Sequence, residues 1–175
     1  MKIEKIISKY RIWKLRNSVS QCGKNPQVFG KIYINTPASL TIGDDFRIND
    51  GCKLIGRNGS RINIGNDVTI SNNAIILSTG YDIENWMSGN GKKHKTMETV
   101  IGDHVWICAN SVICGGVRIS GKYVVIAAGA VVTDDITEDY CLYAGVPAKL
   151  IKKYDISKGA KHEIHIAKDN NEICT

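Results

Sequence analysis

Aliphatic residues recur at every sixth position through the second half of the chain. A half-buried strand alternates with a period of two and an amphipathic helix repeats every three or four residues, so neither explains this spacing. A hexapeptide β-helix does, because each six-residue unit forms one short strand and one corner of a three-sided tube with its aliphatic side chain on the axis. The predicted stacks, one coil apart, are Ile101 with Ile119, Ile107 with Val125, and Ile113 with Val131.

The same period extends toward the amino terminus and marks the corners of the tube. Earlier aliphatic residues in register are Val28, Ile34, Ile42, Ile48, Leu54, Ile64, Ile70 and Ile76. The narrow corner positions, four residues after each aliphatic one, are Val105, Ser111, Val117, Tyr123 and Gly129, with Tyr123 as the exception in size. Residues 56–61, reading GRNGSR, break the spacing and predict a small insertion at a corner. The pattern therefore predicts a repeat domain over residues 28–153.

One long excursion interrupts the repeat after Ile76. The next residue in register is Ile101, 25 positions later instead of 6, which predicts a protruding loop over residues 79–98. The loop carries Tyr81, Asp82, Glu84, Trp86, Lys92, Lys93 and His94. A wall of aliphatic stacks offers little titratable chemistry, and long loops in compact domains usually carry function. We therefore expect the reactive groups in this loop.

The two ends of the chain differ from the repeats. Residues 2–16 predict a short amphipathic helix with Ile3, Ile6, Ile7, Tyr10 and Trp13 on one face and lysines and arginines on the other. Within an amino-terminal segment over residues 1–27, this face is expected to cap the open end of the tube. Contact with a membrane surface is the alternative. Residues 154–175 are polar and predict a loosely ordered tail that contains His162 and His165.

Composition narrows the class of protein. The chain has 175 residues and a formal net charge of +6, and this positive charge favours anionic ligands. Its basic residues are not interleaved with aromatic residues on one face, so no nucleic-acid partner is expected. The six cysteines show no metal-ligand spacing and predict reduced, mostly buried thiols. Without a membrane span or signal peptide, the expected location is cytoplasmic, at the inner face of the membrane if the helix binds lipid.

Three features together resemble the hexapeptide-repeat acyltransferases, in particular the galactoside, maltose and xenobiotic acetyltransferases and the O-acetyltransferases of surface polysaccharides. They are the six-residue repeat, the excursion, and the motifs VIGDHVWICANSVI, VVIAAGAVVTDDI and AGVPAKLIKK. The resemblance implies an all-β, left-handed parallel β-helix with a short amino-terminal helix and a protruding loop. It also implies a homotrimer, acetyl-CoA as acyl donor without a metal, and an active site between subunits. A zinc site is not expected, because only His94 and His104 lie in the repeat region.

The resemblance also implies site residues. The family's base is a histidine that follows a glycine at the start of the loop, and the family's spacing back from Trp106 gives Gly80, Tyr81 and Asp82. The only histidine in the loop is His94. Three readings stay open. His94 is the base, with Asp82 or Glu84 orienting its ring; Tyr81 or Asp82 replaces the histidine and activity is altered or lost; or His94 is only a surface residue. His104 is expected to be a corner or interface side chain.

Other positions follow from the family's contacts. Trp106 precedes an inward residue, so it should point outward, and with Trp86 and Glu84 it is expected to line the acceptor cleft. The cofactor positions that the resemblance implies are Ala109, Ala127, Ala128 and Thr133, with Lys149 and Lys152 supplying positive charge where Asp134 replaces the usual basic residue.

The resulting expectation is an acetyl-CoA-dependent O-acetyltransferase that acts on a saccharide acceptor, a surface polysaccharide or its precursor. One alternative is an N-acetyltransferase acting on a nucleotide-linked amino sugar. The other is a catalytically silent sugar-binding trimer, which the absent Gly-His pair suggests.

Overall fold

Short parallel strands follow one another around three sheets in the computed structural model, which describes residues 2–156. The predicted tail therefore lies almost wholly outside the described residues, with His162, His165 and Cys174. The elements in chain order are α1 (Lys2–Ser18), β1 (Gln21–Cys22), β2 (Gln27–Val28), β3 (Tyr33–Ile34), a 3-10 turn (Pro37–Ser39), β4 (Leu40–Ile42), β5 (Arg47–Ile48), β6 (Lys53–Ile55), β7 (Arg61–Ile64), β8 (Thr69–Ile70), β9 (Ile75–Leu77), β10 (Thr79–Tyr81), α2 (Ile83–Met87), β11 (His94–Thr96), β12 (Glu98–Ile101), β13 (Trp106–Ile107), β14 (Val112–Ile113), β15 (Arg118–Ile119), β16 (Val124–Ile126), β17 (Val131–Val132), β18 (Cys141–Ala144) and β19 (Lys149–Lys153).

Successive coil strands belong to successive sheets, as a three-sided coil requires. The first sheet has the order β1-β4-β7-β12-β15, the second β19-β18-β16-β13-β8-β5-β2, and the third β17-β14-β9-β6-β3. Within each sheet, strands one turn apart pair in parallel, and the second sheet ends in the antiparallel pair β18–β19. The chain is therefore mostly β, with parallel sheets and few helices, as the six-residue period predicts.

The core is a column of aliphatic side chains, but its register shifts by one residue in the upper coils. Ile107 pairs with Ile126 and Ile113 with Val132, and both upper residues are buried, whereas Val125 and Val131 are only half-buried. The predicted inward positions at Val125 and Val131 are therefore wrong. Seven positions instead of six separate Ile119 from Ile126, because the corner between β15 and β16 holds one extra residue.

The same shift moves the corner positions. Val105, Ser111 and Val117 are buried as predicted, but the next two buried corners are Val124 and Ala130. Tyr123 and Gly129, the predicted small corner residues, are exposed. Tyr123 is the exception in size because it does not occupy the narrow position at all.

A column of residues with positive φ marks the corner between the first and second sheets. Its members, one from each coil, are Asn25, Asp45, Asp67, His104, Tyr123 and Tyr140. Asn and Asp tolerate this backbone region, whereas Tyr rarely adopts it. The three aromatic rings compensate by stacking: His104 lies 4.5 Å from Tyr123, and Tyr123 lies 4.9 Å from Tyr140, between ring centroids. His104 also bonds through Nδ1 to the Asp67 carboxylate at 2.9 Å, as expected for a corner residue.

Helix α1 caps the first coil through a face other than the predicted one. Leu15 is buried, and Ile12 and Val19 are partly buried against the core. Ile3, Ile6 and Trp13 are 72%, 65% and 62% exposed. The prediction that this second group covers the end of the tube is wrong. The chain passes from α1 through Val19 directly into β1, so the apolar residues nearest that junction meet the coil.

Candidate active site

The excursion folds into a hairpin with its own hydrogen bonds. Strands β10 and β11 pair antiparallel, and α2 follows β10 directly. The Asp82 carboxylate caps α2 by accepting the backbone N–H of Asn85 at 3.0 Å, and the Asn85 side chain donates to the carbonyl of Gly91 at 2.7 Å. An aspartate at a helix amino terminus satisfies a backbone N–H that has no partner within the helix. The hairpin is thus a defined support for the side chains it carries.

Buried hydroxyl groups anchor the base of the hairpin to the tube. The Ser78 hydroxyl donates to Ser60 at 3.0 Å, and both side chains are buried. Thr99, also buried, donates to the carbonyl of Leu77 at 2.6 Å and accepts from the N–H of Gly116 at 3.0 Å. The repeat pattern did not predict these anchors, although Ser78 and Thr99 are polar residues at the two ends of the excursion, where the chain leaves and rejoins the tube.

Tyr81 and His94 face each other across the hairpin. They are register partners on β10 and β11, and their ring centroids lie 4.3 Å apart with an angle of 29° between the ring planes. Both side chains are exposed. Tyr81, which the resemblance predicts at the family's histidine position, therefore stacks against His94, so the two candidates for the base lie side by side.

The other loop candidates lie in or beside the short helix α2 and make contacts of their own. The Asp82 carboxylate is used in the helix cap, and Glu84 lies in the first turn of α2. Trp86 is about half exposed, and the Lys92 ammonium lies 5.1 Å from the centroid of its ring. Among residues 2–156, the aromatic ring that stacks on the His94 imidazole is that of Tyr81.

Trp106 lies on the outer surface of the second sheet. Its side chain is 52% exposed, as the alternation along β13 predicts, and its indole N–H donates to the Ser71 hydroxyl at 3.0 Å. Arg47, Thr69 and His104 line an open depression of about 320 Å³ beside it. Sequence analysis did not identify Ser71, which fixes the indole from the coil below.

The alanine positions form a bare corner between the second and third sheets. Ala109 and Ala127 are half-buried, Ala128 is exposed, and the Gly129 N–H donates to the carbonyl of Ala109 at 3.0 Å. A side chain at Gly129 would meet no atom within 4 Å. An extended ligand can therefore approach the backbone of this corner.

A thiol also lies beside the alanine corner, at Cys108. Burial raises the pKa of the Cys108 thiol, so it is not a thiolate nucleophile at neutral pH. The five cysteines in the described part of the chain are unpaired, as expected, but only Cys52 and Cys141 are fully buried.

The predicted charged positions lie near the upper end of the tube. Thr133 bonds through its hydroxyl to the Asp134 carboxylate at 3.1 Å, and the Lys149 ammonium lies 3.5 Å from the same carboxylate. Lys149 and Asp134 thus form an exposed ion pair. The Lys152 ammonium lies 5.2 Å from the ring centroid of Tyr154.

One chain does not bring all of these residues together. The hairpin leaves the tube between the third and first sheets, whereas the alanine corner lies between the second and third sheets. The third sheet separates the two within one chain. Within a single chain, the hairpin and the alanine corner, the two candidate half-sites, therefore lie at different corners of the tube.

Comparisons with known proteins identify similar sequences and structures. No protein-family model matches the chain. "Putative acetyltransferase YJL218W" of Saccharomyces cerevisiae is 34% identical over 139 residues, which cover 79% of the chain and 68% of that protein. A 2,3,4,5-tetrahydropyridine-2,6-dicarboxylate N-acetyltransferase of Staphylococcus aureus is 46% identical over 65 residues, 37% of the chain, and the match spans about a quarter (26%) of that protein.

The solved structures that resemble the chain include further acetyltransferases. A galactoside acetyltransferase in complex with coenzyme A matches with a TM-score of 0.76 and 27% identity, covering 91% of the chain and 78% of that structure. A maltose O-acetyltransferase from Clostridium difficile matches with a TM-score of 0.72 and 30% identity, over 81% and 73%. The hexapeptide-repeat acetyltransferase VCA0836 from Vibrio cholerae, complexed with acetyl-CoA, matches with a TM-score of 0.73 and 25% identity, over 83% and 76%.

Proposed function

The chain belongs to the hexapeptide-repeat acetyltransferases, acyltransferases that use acetyl-CoA, and from this membership we propose that it acetylates a hydroxyl group of a sugar. The galactoside and maltose acetyltransferases among its structural relatives support a saccharide acceptor. The observation that carries the proposal is the exposed imidazole of His94, held against Tyr81 on the hairpin. The proposed acceptor is a surface polysaccharide or its precursor. Separately, the similarity to this family supports a left-handed coil.

His94 is the general base in this proposal. An alcohol is a weak nucleophile until a base takes its proton, and an imidazole titrates near neutral pH. Tyr81 covers one face of the His94 ring and so restricts its rotation. The ring takes the proton of the acceptor hydroxyl as the oxygen attacks the acetyl carbonyl carbon, and it returns that proton to the CoA sulfur as the carbon–sulfur bond breaks.

The alanine corner fits the acyl donor. Acetyl-CoA supplies the acetyl group as a thioester. The small side chains of Ala109, Ala127 and Ala128 leave the backbone accessible to a pantetheine chain, and backbone N–H groups at a coil corner suit the negative charge that develops on the carbonyl oxygen. Thr133, Lys149 and Lys152 lie toward the carboxyl-terminal end of the tube, where lysines suit phosphate groups.

A homotrimer unites the two half-sites. Because the hairpin and the alanine corner lie on different corners of the tube, a neighbouring copy that presents its hairpin to this corner completes the site. Trp106, Trp86 and Glu84 would then line the acceptor cleft from two subunits. A closed threefold ring gives every copy the same pair of contacts.

The test of the base compares variants inside and outside the hairpin. His94→Ala is expected to reduce acetyl transfer to sugars at least about 100-fold, in the range typical of a lost general base, with CoA affinity unchanged. His104→Asn is the matched control: it removes an imidazole from a corner where Asn tolerates the positive φ. An unchanged rate for His94→Ala together with an inactive Tyr81→Phe would assign the base to Tyr81.

A second assay separates the acceptor classes. The similarity to the Staphylococcus aureus N-acetyltransferase supports an amino group as the second candidate acceptor. The acceptor tested for this candidate is an amino sugar on a nucleotide carrier. Purified protein is supplied with acetyl-CoA and either hydroxyl-only sugars or amino sugars, and CoA release is measured. Faster transfer to the amino group would replace O-acetylation. Sugar binding without any CoA release would identify a silent binding protein.

A further inference from the structure

Helix α1 has a second apolar face that the tube does not use. Its packed side is formed by Ile12 and Leu15, with Val19 just beyond its end. At about 100° per residue, Ile3, Ile6 and Tyr10 lie on the opposite side, followed by Trp13. Tyr10 and Trp13 stack on each other with ring centroids 6.1 Å apart. We call these four exposed side chains the outer stripe.

The outer stripe lies in strongly basic surroundings. Helix α1 contains six basic residues and one acidic residue, Glu4, so its net charge of five accounts for most of the chain's formal +6. By helical geometry, Lys5, Lys9 and Arg16 flank the stripe on one side and Lys14 flanks it on the other. All four side chains are exposed. An apolar stripe between basic flanks is the pattern of a helix that lies in a lipid–water interface.

A groove beside α1 continues this surface. It has a volume of about 530 Å³ and is lined by residues of both α1 and the first coil. Ile7, Val28 and Ile32 give it an apolar lining, and Arg11, Lys14 and Lys31 add positive charge. The groove thus repeats the chemistry of the outer stripe, an apolar surface beside cationic groups, and Tyr10 belongs to both.

We propose that α1 attaches the protein to the surface of a bilayer that contains anionic lipids. The helix lies parallel to the surface, with the outer stripe among the upper acyl carbons and the basic side chains at the headgroups. Tyr10 and Trp13 suit this depth because their rings combine an apolar body with a polar group. In the described part of the chain, no helix is long and apolar enough to cross a membrane, so the attachment is to the surface.

Charge argues against a second copy as the occupant. Two α1 helices packed stripe against stripe would bring two sets of exposed lysines and arginines together. Like charges at close range oppose association, whereas anionic headgroups attract the same residues. The outer stripe and its basic flanks therefore suit an anionic membrane better than the α1 helix of a second copy.

The experiment is sedimentation of the full chain with vesicles. Vesicles of phosphatidylcholine with about one third phosphatidylglycerol are compared with pure phosphatidylcholine. We expect at least about 10-fold stronger binding to the anionic vesicles, and most of this difference should be lost at 1 M salt, where charges are screened within about 3 Å. Lys5→Gln combined with Lys9→Gln should reduce binding to the anionic vesicles without changing the fold, since both side chains are exposed.

Matched apolar variants test the stripe itself. Ile6→Ser with Trp13→Ser should reduce anionic-vesicle binding at least about 10-fold, because burial of apolar side chains holds such helices in the interface. Met87→Ser with Ile151→Ser, which changes two exposed apolar residues elsewhere, should leave binding unchanged. Circular dichroism of each variant checks that the fold is retained.

Three results would overturn the proposal: equal binding to both vesicle types, no binding to either, or binding that survives Ile6→Ser with Trp13→Ser. If the wild-type chain ignores vesicles and these substitutions instead change its oligomeric state, the stripe is a contact between copies. Acetyl transfer to a water-soluble sugar is measured on the same samples, so that a failure here is distinct from a failure of the proposed activity.

Discussion

Replacing Ile126 with alanine tests the shifted register of the upper coils. Ile126 is fully buried and lies in register between Ile107 in the coil below and Tyr143 in the strand above. The substitution removes three carbon atoms, and at about 0.8 kcal/mol each the lost transfer free energy is about 2.4 kcal/mol. Hydrogen-bonded coils on both sides limit collapse into the cavity, so the total loss in unfolding free energy should be about 3–4 kcal/mol.

The matched control is Val125→Ala at the neighbouring position. A strict six-residue count places Val125 on the axis, whereas the structure leaves it half-buried on the outer surface of the second sheet. Because its side chain is only partly removed from water, the substitution should lower the unfolding free energy by less than about 1 kcal/mol. The two substitutions therefore discriminate between the two registers directly.

Urea unfolding followed by tryptophan fluorescence provides the measurement. All variants are compared at one protomer concentration, since association of copies adds to apparent stability. Equal dependence on urea across the variants would show that the surface exposed on unfolding is unchanged. A loss for Val125→Ala equal to or larger than that for Ile126→Ala would refute the shifted register.

Two further predictions concern the same end of the tube. A Cβ at Gly121 would clash with the backbone carbonyl oxygen of Glu138, so Gly121→Ala should lower the unfolding free energy by about 3 kcal/mol, the upper end of the usual cost of overpacking. Gly129→Ala meets no atom within 4 Å but has a φ of 72°, so it should cost only about 1–2 kcal/mol. Equal losses in urea unfolding would contradict the backbone clash at Gly121. Burial and the hydrogen bond to Glu138 raise the pKa of Tyr143, so the folded state retains a proton that the unfolded chain releases above about pH 10. The unfolding free energy should therefore fall above pH 10, and it should fall less in Tyr143→Phe. Burial also raises the pKa of Cys141 to about 11, so the unfolding free energy of both proteins should decline from about pH 9. Identical pH profiles for the two proteins would contradict the role of Tyr143.

The six-residue period predicts most of the fold because the axis of the tube admits one aliphatic side chain per strand. The prediction fails between β15 and β16 because, after the one-residue insertion, an aliphatic residue still occupies each position that the six-residue count expects. Val125 and Ile126 are both aliphatic, as are Val131 and Val132, so either register satisfies the pattern. The misfit of Tyr123 at a narrow corner was the available signal, since a shift of one residue places Val124 there instead.

The outward face of α1 could not be predicted from periodicity alone. The apolar stripe and the residues around Leu15 are both compatible with packing, and the hydrophobic pattern does not say which meets the coil. The path of the chain decides it: Val19 follows α1, and the backbone N–H of Ser20 bonds to the carbonyl of Leu40, which fixes the helix end against the first coil. The longer stripe is then turned away from the tube.

The candidate site was predictable in its parts but not in its arrangement. Both Tyr81 and His94 belong to the excursion, but only the pairing of β10 with β11 shows that one stacks on the other. That pairing depends on the cap at Asp82 and on the turn held by Asn85, neither of which a spacing rule anticipates. Sequence spacing names Tyr81 and His94 as separate candidates, and the hairpin brings their side chains together.

The separation of the half-sites follows from the same coil that forms the core. Each coil visits its three corners in a fixed order, so an excursion inserted between the third and first sheets cannot reach the corner between the second and third sheets without crossing the third sheet. Every stacked coil repeats this order, and lengthening the tube does not bring the corners closer. Completion of the proposed site is therefore a property of how copies associate, and substitutions that weaken association should lower transfer even where His94 and the alanine corner are untouched.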